Sequence, residues 1–150
     1  MDWNGVKMLI GEFRHSIDTK GRLIIPSKFR EDLSGQFVIT KGLDKCLFVY
    51  PYEEWSKITN KIKELPTTSS PVRSFVRTFF SGAIDEVLDK QGRVTLPQNL
   101  RDHANIDKET VVIGLNTRVE IWSLENWEKY QAEEALSYEE MAEQLAELGI

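Results

Sequence analysis

The apolar residues of this chain fall into short runs separated by polar turns, and both halves show the same pattern. Short apolar runs bounded by turn residues predict strands. These runs cover residues 13–17, 22–25, 37–40, 47–50, 84–88, 93–96, 111–113 and 119–122. Each half therefore predicts two strands, a short helix, two more strands and a longer helix. The fold class that follows is α+β, mainly β with short helices.

One phrase occurs twice in the chain. Residues 16–31 read SIDTKGRLIIPSKFRE, and residues 87–102 read VLDKQGRVTLPQNLRD. The identical pairs are Asp18 and Asp89, Gly21 and Gly92, Arg22 and Arg93, Pro26 and Pro97, and Arg30 and Arg101. Internal similarity of this length indicates two structurally similar units in one chain.

The turn inside each copy is specified by its first and fourth residues. Asp18 and Gly21 suit a type I turn in which glycine takes a positive φ. The aspartate carboxylate can accept backbone N–H groups across such a turn. Asp89 and Gly92 repeat the arrangement. We expect each turn to join its two flanking strands as a hairpin.

Helical patterns follow the strands. The proline of each phrase is expected in the first turn of a short helix, over 27–33 and 98–104. An apolar helical face is predicted by the spacing of Trp55, Ile58, Ile62 and Leu65. A linker at 66–71 precedes a helix at 72–80, which Gly82 is placed to end. Near the C-terminus, Ser137 and Glu140 form a capping-box pattern that predicts a short acidic amphipathic helix.

Composition limits the class of protein. With 150 residues and 41% hydrophobic content, the chain can form one compact domain or two small intertwined ones. Its one cysteine, Cys46, allows no disulfide within the chain, so we expect a reducing cytoplasm. We expect no membrane span and no secretory signal, because no apolar run is long enough. Met8 is an alternative start, since residues 1–7 lie outside the repeat.

The negative charge is concentrated at one end. The net charge is −5, but residues 125–150 contain eight acidic residues and one lysine. The rest of the chain is therefore slightly basic, and the first copy of the phrase is more basic still. An anionic partner is compatible with this distribution when the basic groups share one face.

The arginine that follows each turn is the main candidate for chemistry. Arg22 and Arg93 recur while their neighbours vary, and arginine suits bidentate contact with a guanine edge or a phosphate. The alternative is that each arginine pairs with its own loop aspartate and only stiffens the turn. Lys20, Lys90 and Arg14 are candidate phosphate contacts, or else solvated surface charges.

The other two repeated arginines lie in the short helices. Arg30 and Arg101 are each followed closely by an aspartate, Asp32 or Asp102. We expect either packing or a local ion pair for them.

Evidence for catalysis is weak. His15 and His103 are not at equivalent repeat positions and show no metal-ligand spacing. Cys46 lies in an apolar run, which is typical of a core thiol. Asp18 and Asp89 could form an acid–base pair, but each stands beside an arginine that favours an ionised, structural carboxylate. We expect no enzymatic activity, no metal and no cofactor.

The duplicated Asp-x-x-Gly-Arg motif, followed by a strand and a proline, resembles the MraZ family over nearly the whole chain from about Met8. The resemblance implies two AbrB-like (SpoVT-AbrB) swapped-hairpin domains at residues 12–54 and 83–126. An acidic helical segment at 127–150 follows them. The hairpins are expected to interleave about an internal pseudo-two-fold and form a double-ψ-like β core, with helices between and after the domains.

The resemblance also implies a function. Members of the family form ring-shaped homo-oligomers and bind short direct repeats in double-stranded promoter DNA, acting as repressors of the bacterial division and cell-wall gene cluster. Their DNA-binding arginines and loop-supporting aspartates correspond to Arg22, Arg93, Asp18 and Asp89. We therefore expect a cytoplasmic, nucleoid-associated transcriptional regulator. The alternative is an AbrB-type, antitoxin-like protein-interaction module whose acidic C-terminal helix binds a basic partner.

Overall fold

The computed structural model describes residues 9–149, so the alternative start at Met8 lies outside the described residues. The strands are β1 (Leu9–Ser16), β2 (Arg22–Ile24), β3 (Phe37–Lys41), β4 (Leu47–Pro51), β5 (Ile84–Glu86), β6 (Arg93–Thr95), β7 (Glu109–Asn116) and β8 (Val119–Ser123). The helices are α1 (Ser27–Arg30), α2 (Tyr52–Lys63), α3 (Ser70–Ser81), α4 (Gln98–His103), α5 (Leu124–Glu133) and α6 (Tyr138–Ala146). The elements of the two halves follow the same order, and the α+β fold class is confirmed.

The sheets show how the two units interleave. One antiparallel sheet has the order β1-β7-β8-β4-β3-β5, and β2 and β6 form a second, two-stranded sheet. If each strand is replaced by its counterpart in the other unit, the strand order of the large sheet is simply reversed. An internal pseudo-two-fold requires this. Because β1 pairs with β7 and β5 pairs with β3, the first strand of each unit extends the sheet of the other unit.

The expected hairpin across each turn is shorter than predicted, because the strand after the turn pairs mainly with the other unit. Across the first turn, Ile17 bridges Leu23 just beyond the end of β1, and the backbone N–H of Asp18 donates to the Arg22 carbonyl at 2.9 Å. β2 forms an antiparallel ladder with β6, where Leu23 lies opposite Val94. β2 has only three residues and could form few hydrogen bonds with β1, whereas β7 pairs with all eight residues of β1. The longer ladder therefore determines the pairing of β1.

Two apolar clusters lie on opposite faces of the large sheet. The first packs the β2–β6 ladder onto one face through the buried Leu23 and Val94. The second lies beneath α2 and α3 on the other face and contains Cys46, which confirms that this thiol belongs to the core. Successive strand residues point to opposite faces, so Val111 belongs to the second cluster and Val112 to the first.

The helix ends agree with most of the sequence signals. Gly82 is the C-cap of α3, and the predicted capping box of α6 is confirmed, with Ser137 and Glu140 making both bonds. Pro26 and Pro97 occupy the N-cap position, not the first turn as expected, because their ψ values keep them extended. None of the helices within residues 9–149 combines the length and the apolar character needed to cross a bilayer.

Candidate nucleic-acid interface

The first Asp-x-x-Gly-Arg turn, residues 18–22, folds around the carboxylate of Asp18. Its Oδ1 accepts the backbone N–H groups of Lys20 at 2.9 Å and Arg22 at 2.8 Å. Its Oδ2 accepts the Nε–H of Arg22 at 2.7 Å. The predicted acceptance of N–H groups by the aspartate is confirmed, and so is the ion pair between arginine and loop aspartate.

The second turn, residues 89–93, repeats this geometry with different intervening residues. Asp89 Oδ1 accepts the backbone N–H groups of Gln91 and Arg93 at 2.9 and 2.8 Å. Its Oδ2 accepts the Nε–H of Arg93 at 2.9 Å. The glycines have the predicted positive φ, +78° at Gly21 and +75° at Gly92. The two turns are therefore equivalent structures that present equivalent arginines.

Each aspartate binds only the Nε side of its arginine. Within the described chain the Nη groups of Arg22 and Arg93 have no hydrogen-bond partner, and the side chains remain 32% and 23% exposed. The two Nη groups form the planar end of the guanidinium, which matches the O6 and N7 acceptors of guanine. The intramolecular ion pair and a base contact are thus compatible, because the aspartate orients the group that would bind.

Hydrogen bonding holds both loop carboxylates in their ionised form. The backbone N–H of Arg22 is the main cause that lowers the pKa of Asp18, although desolvation partly opposes it. The side-chain bond and charge of Arg22 lower it further. Arg93 lowers the pKa of Asp89 by the same contacts. Carboxylates of lowered pKa suit the support of a loop better than proton transfer at neutral pH.

The β2–β6 ladder places both arginines on one surface. Leu23 and Val94 are opposite each other and fully buried against the large sheet. Their neighbours along each strand must point the other way. The outward side chains, which we call the loop face, are Arg22, Ile24, Arg93 and Thr95. Sequence reasoning missed Ile24 and Thr95, because no local signal reveals that β2 pairs with β6.

The register sets the spacing of the arginines. Arg22 lies opposite Thr95 and Arg93 lies opposite Ile24, so the two arginines are diagonal neighbours two positions apart. Strand rise and interstrand distance then put their Cα atoms about 8 Å apart. That distance corresponds to between two and three base-pair steps of about 3.4 Å.

Each loop is braced by the other unit. The Nε–H of Arg30 donates to the Ile25 carbonyl at 2.9 Å, and the side chain of Arg30 lies against Gly92. The Ile25 N–H donates to the Gly92 carbonyl at 2.9 Å. The reciprocal contacts are made by Arg101, Leu96 and Gly21. The packing role expected for the helix arginines is therefore confirmed, with the loop of the opposite unit as the partner.

Of the three other predicted phosphate contacts, two lie beside the loop face and one lies on the opposite side of the large sheet. Lys20 and Lys90 are exposed within the two turns, next to the loop face. Arg14 is exposed on β1 opposite Val111, whose side chain belongs to the cluster beneath the helices. Directly opposed residues of a ladder share a face, so Arg14 lies on the side of the large sheet away from β2 and β6.

The remaining candidates for chemistry have structural surroundings. His103 Nε2 lies 3.1 Å from the carbonyl oxygen of Gly42. Burial raises the pKa of the Cys46 thiol well above its usual range, with the Glu120 charge acting in the same direction. No group of three or more His, Cys, Asp or Glu residues in the described part of the chain could hold a metal ion.

Comparison with known proteins agrees with the duplicated geometry. A family model described as "MraZ protein, putative antitoxin-like" matches residues 8–78 and again residues 79–148. The chain is 56% identical over 141 residues to the transcriptional regulator MraZ of Desulforamulus reducens, covering 94% of this chain and 99% of the relative. It is 56% identical over 143 residues to that of Alkaliphilus oremlandii, covering 95% and 100%. With two tandem matches and relatives of this similarity, the chain belongs to the MraZ family.

Proposed function

We propose that the protein is a transcriptional regulator that binds double-stranded DNA in a sequence-specific manner through its loop face. The relatives named transcriptional regulators support the general role. The main observation in support of the DNA contact is that two guanidinium groups, each oriented by an aspartate, lie on one exposed surface. The proposed function involves no catalytic step.

The proposed contact uses the two arginines as a pair. Arg22 and Arg93 present their Nη groups to guanine edges in the major groove, while Asp18 and Asp89 fix the orientation of each guanidinium. Pre-orientation reduces the entropy lost when the contact forms. Because the strands are antiparallel and related by the pseudo-two-fold, the arginines address base pairs a few steps apart.

Residues beside the arginines complete the surface. Ile24 and Thr95 are exposed beside them, and the apolar side chain of Ile24 and the methyl group of Thr95 suit contact with thymine methyl groups. Lys20 and Lys90 neutralise phosphates and set the register on the duplex. One protomer offers a small contact, so we propose that a ring-shaped homo-oligomer engages successive direct repeats and gains avidity.

The proposed target follows the family. The promoter repeats upstream of the division and cell-wall gene cluster are the proposed site, with repression as the proposed outcome. Binding there would place the protein in the cytoplasm on the nucleoid. The domain boundaries 12–54 and 83–126, with an acidic segment at 127–150, remain predictions.

A gel shift with the promoter repeats at stated salt tests the base contacts. We expect Arg22→Ala and Arg93→Ala each to weaken binding by about 1–3 kcal/mol, or about 5- to 150-fold, and to relax specificity. Arg14→Ala is a matched control that removes an exposed arginine on the other side of the sheet. If both loop variants bind like the wild type, or if Arg14→Ala loses as much affinity, the loop face is not the interface.

The salt dependence of binding separates phosphate contacts from base contacts. Lys20→Ala should weaken binding to all sequences alike and reduce the salt slope by about one. An unchanged slope, or a loss confined to the promoter sequence, would argue against a phosphate role for Lys20.

A further inference from the structure

An apolar groove with a basic rim lies between α2 and α3. It encloses about 340 Å³. Its floor includes Ile62, Val76 and Phe80, and its rim carries Lys63, Arg73 and Arg77. Among residues 9–149, no carboxylate lines this α2–α3 groove. A concave apolar surface with positively charged side chains at its edge is suited to bind an apolar ridge that carries negative charge.

Helix α6 is such a ridge. Tyr138, Leu145 and Leu148 are 81%, 44% and 75% exposed. With Met141 between them, Tyr138 and Leu145 are spaced by three and four residues, which places these three on one side of α6, and Leu148 follows in the turn just after the helix. Around this stripe α6 and its C-cap contain four glutamates and no basic residue. The apolar stripe and negative charge of α6 are therefore complementary to the apolar floor and basic rim of the α2–α3 groove.

The internal repeat shows that the apolar side of α6 is unusual. α6 follows α5 as α3 follows α2, so the two helices are counterparts. α3 packs its Phe79 ring against Trp55 at 5.4 Å between centroids and covers its own unit. In the described chain α6 leaves its stripe in solvent while the α2–α3 groove stays open. Both surfaces of one chain are thus unoccupied and complementary.

We propose that α6 of one copy docks in the α2–α3 groove of the next copy. The apolar stripe of α6 fills the groove, and its glutamates face the basic rim. A head-to-tail contact of this kind uses two different surfaces, and it generates a ring when the rotation between successive copies closes. The inference gives a contact surface to the ring assembly proposed above and does not depend on DNA binding.

The test is the mass of the full chain in solution, measured by sedimentation velocity over a range of concentrations. Leu145→Asp places a charge on the stripe and should raise the concentration needed for assembly at least about tenfold. Ala146→Asp is the control, because it adds the same charge about 100° further around the helix. Both residues are exposed, so neither change should unfold the chain, which circular dichroism checks.

A charge exchange tests the other side of the contact. Lys63→Glu with Arg77→Glu should weaken assembly, and adding Glu139→Lys with Glu147→Lys to the same chain should restore it. Arg73 is left unchanged because its Nη1 donates to the Thr67 carbonyl at 3.0 Å. Restoration requires opposite charges that meet between copies, which a merely destabilised chain would not show.

The outcomes separate this inference from the proposed function. An assembled wild type whose mass is unchanged by Leu145→Asp overturns the α6 contact and leaves the ring intact. A wild type that stays monomeric overturns both the ring and its contact. Changed thermal stability of Leu145→Asp without any change of mass places α6 on its own chain, and this also overturns the proposal. A gel shift with a single repeat reports DNA binding independently of all three.

Discussion

Replacing Gly92 with alanine tests the bracing of one loop by the other unit. Gly92 has a φ of +75°, and an added Cβ would lie 2.5 Å from Arg30 Nε and 2.6 Å from its Cζ. A positive φ costs alanine about 1–2 kcal/mol. Displacing Arg30 also breaks its 2.9 Å bond to the Ile25 carbonyl, which contributes about 1–2 kcal/mol. The expected loss in the free energy of unfolding is therefore about 2–4 kcal/mol.

Two other glycines separate these terms. Gly35 has a φ of +70° with no atom within 4 Å of its added Cβ, so Gly35→Ala measures the conformational cost alone, about 1–2 kcal/mol. Gly21→Ala brings its Cβ to 3.2 Å from Arg101 Cζ, which needs only a small shift. The expected order of destabilisation is Gly92→Ala, then Gly21→Ala, then Gly35→Ala. Urea unfolding at one protein concentration, followed by tryptophan fluorescence, measures it.

A double-mutant cycle tests whether the extra cost of Gly92→Ala arises from contact with Arg30. In an Arg30→Ala background the clash is absent, so Gly92→Ala should cost only its conformational term, and the coupling should be about 1–2 kcal/mol. Bracing of Gly92 by Arg30 is refuted if Gly92→Ala lowers the free energy of unfolding no more than Gly35→Ala does. It is equally refuted if the cost of Gly92→Ala is the same with and without Arg30.

Three further predictions concern other parts of the chain. Because the folded state lowers the pKa of Asp18 and Asp89, their contribution to stability is present above the unfolded pKa of about 3.9 and lost as pH falls through the folded value. Asp18→Asn should therefore flatten the stability-against-pH curve below about pH 4 and leave its slope unchanged at pH 6–8. Native Cys46, buried and with a raised pKa, should resist thiol reagents at pH 8 and react once urea unfolds the chain; reaction at equal rates would contradict its burial. Ser137→Ala removes the capping box of α6 and should lower the local stability of that helix by about 0.5–2 kcal/mol, seen as faster amide exchange in α6 alone.

The loop geometry was predictable because it is local. The bonds from Asp18 to the N–H groups of Lys20 and Arg22 join residues at most four positions apart, and the turn type requires glycine at its fourth position. The same residues at 89–93 produce the same structure. Local chemistry fixed these contacts before any tertiary contact was known.

The pairing of β2 with β6 was not predictable from the pattern alone. Leu23 and Val94 each lie in a short apolar run, and each run could pair with a strand of its own unit or of the other unit. The outcome depends on the longer β1–β7 ladder, which joins residues far apart in the chain. The family resemblance, and not periodicity, indicated the swapped arrangement.

Residue roles that depend on this exchange were missed for the same reason. Packing was one of two roles expected for Arg30, but its contact with Gly92 requires the second unit to cross over. Period-two alternation puts Arg14 and Phe13 on opposite faces of β1, yet it does not say which face lies near the loops. The exposure of Ile24 beside both arginines also follows only from the observed register.

The interleaved sheet has a consequence for synthesis on the ribosome. β2 ends at Ile24, but its partner β6 begins only at Arg93. At the usual rate of translation the partner emerges roughly 4–14 seconds later. During that interval the nascent chain exposes the unpaired edges of β2 and β4. Neighbouring ribosomes on one message could then supply the missing strands to each other, so the spacing of nascent chains would influence whether units pair within or between copies.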